Sequence, residues 1–245
     1  MKKANYLLIL ATVLFMPQLS QATLSPMYSP SGGIRGNGKI VKQERSVSGF
    51  HAISVSGGID VYIIPGSTEK AVVETDENIQ ETIITTISNG VLKIYSEKSI
   101  SNSKKLNVYV HLKELDKVTA SGGCDVFAET NLNFPSLSFN FSGGCDLKLS
   151  CTTGTLNCIL TGGSDAEIKG SADNVDLEAS GGSDIKAADL TIRKCKVEVT
   201  GGSDAYLHVT GELAVEASGS SAVTYSGNPK IISKSVTGAS DLIKK

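Results

Sequence analysis

Ser121-Gly122-Gly123-Cys124-Asp125 recurs as Ser142-Gly143-Gly144-Cys145-Asp146, Thr161-Gly162-Gly163-Ser164-Asp165, Ser180-Gly181-Gly182-Ser183-Asp184 and Thr200-Gly201-Gly202-Ser203-Asp204. Degenerate copies follow at Ser218-Gly219-Ser220-Ser221-Ala222 and Thr237-Gly238-Ala239-Ser240-Asp241, with steps of 21, 19, 19, 20, 18 and 19 residues between fifth positions. Phased copies at this density mark a repeat architecture. An early copy, Ser56-Gly57-Gly58-Ile59-Asp60, lies 65 residues upstream of Asp125, a distance that reads as about three further steps.

Between the Gly-Gly turns, apolar side chains alternate with polar ones in phase with the repeat. Counting back from the first Gly, the second, fourth and sixth positions include Leu156, Cys158 and Leu160, then Val175, Leu177 and Ala179, then Cys195, Val197 and Val199. The positions between carry Asp176, Glu178, Lys196, Glu198 and Glu216. A period of two with one apolar face is the pattern of a half-buried strand. Each unit therefore holds two short strands and two turns, the second turn varying (Thr152-Thr153-Gly154, Ser171-Ala172-Asp173-Asn174). So small a unit cannot enclose a core, but stacked units bury a continuous one. The expected fold is an all-β, right-handed parallel β-helix with rungs about 4.8 Å apart, apolar ladders inside and polar ladders outside. A propeller blade would need about 40 residues, twice this period.

The rest of the chain is read around this frame. Met1-Lys2-Lys3, the apolar run Leu7 to Met16 and Ser20-Gln21-Ala22 read as a secretory signal peptide over 1–22. Its removal takes away Lys2 and Lys3 and moves the formal net charge from −2 to −4. Residues 23–45 are rich in Ser, Pro and Gly and are expected to form a flexible arm. Residues 46–118 read as an N-terminal β region that starts the solenoid and caps it, with Asn89-Gly90 as a hairpin turn. The repeat helix proper is expected over 119–245, with 46–245 one continuous domain.

The run Ser48-Gly49-Phe50-His51-Ala52-Ile53-Ser54-Val55-Ser56-Gly57-Gly58-Ile59-Asp60-Val61 resembles the opening of the "putative auto-transporter adhesin, head GIN domain" family of Bacteroidetes. Gly36-Asn37-Gly38, Asn89-Gly90-Val91-Leu92-Lys93-Ile94 and the Ser-Gly-Gly-x-Asp turns carry the same resemblance, which covers residues 36–245. It implies a right-handed parallel β-helix on the cell surface or in the envelope, with an adhesin role. The few residues after Asp241 are expected to form no membrane barrel of the autotransporter kind.

For function, an acidic net charge disfavours nucleic acid as a partner. No later segment is apolar enough for a membrane helix, so export places the chain in the periplasm, on the outer surface or in the medium. His51, His111 and His208 stand apart from one another and from any ligand-spaced Cys, and no nucleophile elbow or phosphate loop is present. No catalytic residue and no cofactor are expected. Glu178, Glu198 and Glu216 form one outward column and the Asp residues another, which a polysaccharide lyase or hydrolase could use as acid and base. Short uniform turns favour a solvated, repeat-imposed reading instead. The Asp ladder (Asp125, Asp146, Asp165, Asp184, Asp204) is expected to be held by turn N–H groups, with a calcium ladder as the alternative.

Cys124 and Cys145 share one turn position in adjacent rungs and are expected to be free thiols, while Cys158 and Cys195 read as core residues. Tyr62, Phe127 and Tyr206 sit two positions after the Asp, on the outward phase, and are the candidate sugar-stacking residues, read as lying in well-separated rungs. The leading function is a non-enzymatic, adhesin-like β-helix binding an extracellular glycan or a host or envelope protein. A lyase or hydrolase on the same scaffold and an envelope structural module are the alternatives. The lysines of Leu242-Ile243-Lys244-Lys245 would guard an unpaired last rung, so a monomer or weak dimer is expected.

Overall fold

A computed structural model gives the structure of residues 32–245. The expected signal peptide, and the arm as far as residue 31, lie outside the described residues. The fold is the parallel β-helix read from the repeat, with rungs of about 19 residues. Its regular part is three strands of 16 residues, Asp146–Thr161, Asp165–Ser180 and Asp184–Val199, followed by Asp204–Ala217. They stack in parallel register, Asp146 on Asp165, Cys158 on Leu177 and Leu177 on Val197. The second corner of these rungs is a bend within a continuous strand, with register shifts near it between Asp165–Ser180 and Asp184–Val199 and between Asp184–Val199 and Asp204–Ala217.

Alternation decides what lies inside. Leu147, Ala166, Ile185, Ala205 and Val223 form one inward ladder, all but dry, and Leu156, Val175, Cys195 and Leu213 another. Cys158 and Cys195 lie inside as expected. Every residue added to such a ladder removes apolar surface from water at about 25 cal/mol per Å². That gain falls to each rung only when it has neighbours.

The N-terminal part departs from the expected order in an informative way. Ala52–Ser56 pairs in parallel with Lys117–Ser121 on one side and Val91–Ser96 on the other. Asp60–Pro65 likewise lies between Val126–Ala128 and Leu106–Leu112. The early copy is therefore the rung next to Ser121-Gly122-Gly123, not three rungs away. The chain leaves this rung at Pro65 and lays down Lys70–Asp76 and Ile83–Ser88 antiparallel, then returns through Val91–Leu112 to fill the space between. The antiparallel strands close the apolar end of the stack.

The expected arm also needs correction. Ile34–Arg35 pairs with Ile100–Asn102, and Ile40–Arg45 pairs antiparallel with Lys70–Asp76, so ordered structure begins well before residue 45. Arg45 explains part of this, since its guanidinium bonds the Gln80 carbonyl at 2.7 Å and ties the strand to the cap.

Candidate binding surface

The Gly-Gly turns are braced across rungs in both directions. Both glycines of the pair at 143–144 have φ of 75°, a region closed to most side chains. A Cβ on Gly143 would lie 3.3 Å from the amide nitrogen of Gly122, so close stacking as well as conformation calls for glycine there. The next residue, Cys or Ser, turns its Sγ or Oγ inward. Ser164 Oγ donates to Thr161 O of its own turn at 3.0 Å and accepts the Cys145 N–H of the preceding rung at 3.1 Å. Ser183 repeats this on Ser180 and Ser164, and Cys145 on Ser142 and Cys124. Both turn cysteines are free and stand in serine positions. Burial pushes the Cys124 thiol up to about 11.

The Asp column runs the other way. Asp125 N–H donates to Asp60 Oδ1, Asp146 N–H to Asp125 Oδ1, Asp184 N–H to Asp165 Oδ1 and Asp204 N–H to Asp184 Oδ1, at 3.1–3.3 Å. The donors thus sit in the following rung rather than in the residue's own turn. Lys186 adds an ion pair to Asp165 at 3.1 Å. Among the described residues no three His, Cys, Asp or Glu side chains gather as they would around a metal ion. A column offers one carboxylate per rung, whereas calcium takes 6–8 oxygens around one point.

Tyr62 and Phe127 stack at 5.1 Å between ring centroids, and Tyr62 stacks on Tyr109 at 4.9 Å. Their adjacency corrects the well-separated reading and follows from the displaced early rung. Lys42 Nζ lies 4.9 Å over Tyr109, so the faces of Tyr109 and Tyr62 are already covered. Neither ring has a free face on which a sugar could lie. Tyr206 stands apart, paired with Lys186 and Thr224. Beneath Lys42, burial pushes Glu74 upward. Bonds from Tyr109 (2.8 Å) and Lys105 (3.1 Å) and the charge of Lys42 outweigh it and hold the carboxyl below its usual range. This network anchors the cap.

The three histidines have separate partners. His51 Nδ1 meets Asp116 Oδ2 at 2.8 Å, while its Nε2 lies over Gly90. Ser136 pairs with Thr155 and lines the same hollow as His51 and Asp116. His208 Nδ1 meets Ser226 Oγ at 2.9 Å, and His111 pairs with Ile64. Glu178, Glu198 and Glu216 stack in register on the strand before the turn. The Asp column is on the strand after it.

One concave feature was not anticipated. At the second corner a groove of about 640 Å³ runs along the helix axis, lined by Asn133, Thr152, Ser171 and Thr191, which are in register from rung to rung. Phe134 and Pro135 stand at one end and the Arg193–Asp173 ion pair (3.2 Å) towards the other. A second hollow of about 580 Å³ shares Phe134 and Pro135 and reaches His51 and Asp116.

Residues 49–229 match the profile of the family described as "Putative auto-transporter adhesin, head GIN domain". No curated protein matches the chain. Among solved structures, a "putative adhesin" from Bacteroides fragilis NCTC 9343 superposes with a TM-score of 0.83 at 21% identity, covering 87% of this chain and 100% of that one. A "putative lipid binding protein" from Parabacteroides distasonis ATCC 8503 gives 0.72 at 21%, covering 86% and 99%. A "putative adhesin" from Parabacteroides merdae ATCC 43184 gives 0.67 at 23%, covering 86% and 98%. At these identities the likeness is one of fold.

Proposed function

The chain belongs to the family described as "Putative auto-transporter adhesin, head GIN domain", and we propose that it works as an exported, non-enzymatic β-helix presenting a rigid surface to a glycan or protein ligand. The observation that carries this reading is the use the molecule makes of its repeated acids. Five carboxylates of the Asp column, Asp60, Asp125, Asp165, Asp184 and Asp204, each accept a backbone N–H of the following rung and so help hold the scaffold together. Hydrolysis of a glycosidic bond asks for two carboxyl groups flanking one bond, roughly 5–9.5 Å apart across it. A carboxylate engaged by the N–H of a neighbouring rung favours a scaffolding role over that one.

The test is binding of the purified protein to a glycan array and to immobilised matrix proteins, alongside assays for new reducing ends and unsaturated products. Saturable binding without turnover is expected. Product release from any polysaccharide would reverse the reading in favour of a lyase or hydrolase.

A second reading, an envelope module that associates end-on, draws on Ile231, Ile232 and Ile243, which are 40%, 55% and 46% exposed on the last two strands. Lys230, Lys234 and Lys244 on the same strands oppose self-pairing, so a monomer or weak dimer is expected by sedimentation.

A further inference from the structure

The corner groove has the form of a site for an extended ligand, and we propose that it binds a neutral, extended polysaccharide chain lying parallel to the helix axis. The proposal rests on the binding role above and names the place and the ligand class. Its first support is length. The two hollows, which share Phe134 and Pro135 as lining, draw residues from the rungs of His51, Asp116, Phe134, Thr152, Ser171, Thr191 and Thr210. Six steps of about 4.8 Å make a path of roughly 29 Å, too long for a single sugar or a nucleotide.

The second support is chemistry. Asn133, Thr152, Ser171 and Thr191 repeat one amide and three hydroxyls at rung spacing. An extended β-linked glycan offers hydroxyls at each sugar, a similar interval, and Ser and Thr hydroxyls that can both donate and accept suit the alternating edges of successive sugars. An extended peptide would instead need free backbone groups. Here the strand residues Asp146–Thr161 and Asp165–Ser180 are paired on both sides, so the groove offers mainly side-chain partners.

The third support is charge. Among the described residues lining the larger hollow the only ionisable side chains are Asp173 and Arg193, which pair with each other, and the smaller hollow adds the carboxylates of Glu114 and Asp116 beside His51, which would repel an anion. A polyanion has nothing to meet there, which removes uronate-rich and sulfated glycans. Phe134, half-buried at the junction of the hollows, supplies an apolar surface for a sugar face.

The experiment titrates the purified full chain with cellohexaose, mannohexaose and laminarihexaose as neutral probes and oligogalacturonate as the anionic one, by calorimetry. At least one neutral hexaose should bind. Ser171→Tyr and Thr191→Tyr, each filling the groove from an outward position, should weaken it at least about tenfold, or about 1.4 kcal/mol, with unchanged melting. Phe134→Ala should weaken it less, and Glu216→Ala, on another face, should leave it alone. The proposal is overturned if no neutral hexaose binds, if oligogalacturonate binds as well as any of them, or if both tyrosine variants bind unchanged. Adhesion of the same samples to immobilised matrix proteins separates the two claims. Retained adhesion with no hexaose binding removes the groove alone, and loss of both removes the adhesin reading with it.

Discussion

The amide of Asp125 donates to the carboxylate of Asp60, 65 residues earlier in the chain, at 3.3 Å. With the parallel pairing of Ala52–Ser56 on Lys117–Ser121 and of Val61–Ile63 on Val126–Ala128, it joins the first rung to the repeat and makes everything between Pro65 and Lys117 an insertion. It also places two carboxylates in one partly buried column. Burial raises both Asp60 and Asp125 above the usual aspartate value of 3.8, the accepted N–H offsets part of this, and the next carboxylate in the column adds to the rise.

A carboxyl raised on folding binds its proton more tightly in the folded state, so its charged form works against stability once the pH exceeds its unfolded value. Asp60→Asn keeps an oxygen to accept the Asp125 N–H and removes the charge. It should therefore melt higher than wild type at pH 7, and the difference should narrow as the pH falls through the raised folded value and close only well below 3.8, where the carboxyl is protonated folded and unfolded alike. Melting curves from pH 3 to pH 7 measure it. A gap that widens on acidification would contradict the buried-column account.

Leu177 lies between Cys158 and Val197 in the dry interior, and Glu178 beside it faces outward between Ile159 and Glu198. Leu177→Asp should cost on the order of 4 kcal/mol, because nothing in the stack can pair the charge. Glu178→Ala should change stability by less than about 0.5 kcal/mol, and relief from Glu198 argues for a gain. Urea titration ranks the two.

How far the residues disclosed all this depended on distance along the chain. The alternation around Leu177 is local, so both the inward ladder and the strand phase were legible. The stack of Tyr62 on Phe127 was not. An insertion of antiparallel strands separates the two residues by about three repeat lengths, and counting repeats then places them several rungs apart. The hydrogen bonds from one Ser or Asp turn to the next were hidden for a related reason, since each joins atoms some 20 residues apart. The groove was missed because Thr152 and Ser171 looked like members of a variable turn. Only parallel register turns them into a column.

The serine positions of the turn ladder make a test of the cysteines. Cys145 Sγ donates to Ser142 O and accepts the Cys124 N–H, as Ser164 Oγ does one rung on. Cys145→Ser should therefore stay within about 1 kcal/mol of wild type. Cys158 lies between Phe139 and Leu177, its thiol pushed up to about 12 by burial, and a hydroxyl there finds no partner. Cys158→Ser should cost about 1–3 kcal/mol. In the native protein all five thiols should resist Ellman's reagent and become reactive only on unfolding, since each is buried.

The Asp column separates hydrogen bonding from metal binding at Asp184. Its Oδ1 accepts the Asp204 N–H at 3.3 Å, and its own N–H is held by Asp165 Oδ1 at 3.1 Å. An amide oxygen can accept the same bond, so Asp184→Asn should lie within about 0.5 kcal/mol of wild type, while Asp184→Ala leaves the Asp204 N–H without its acceptor and should cost about 1 kcal/mol. If the column instead held calcium, wild type would gain stability in millimolar calcium, lose it to chelator, and Asp184→Asn would blunt the effect, because an amide is a poorer ligand for a hard cation. Melts of all three proteins with chelator and with calcium distinguish the two cases. The expected result is three curves whose order is set by the substitution alone and unmoved by the ion.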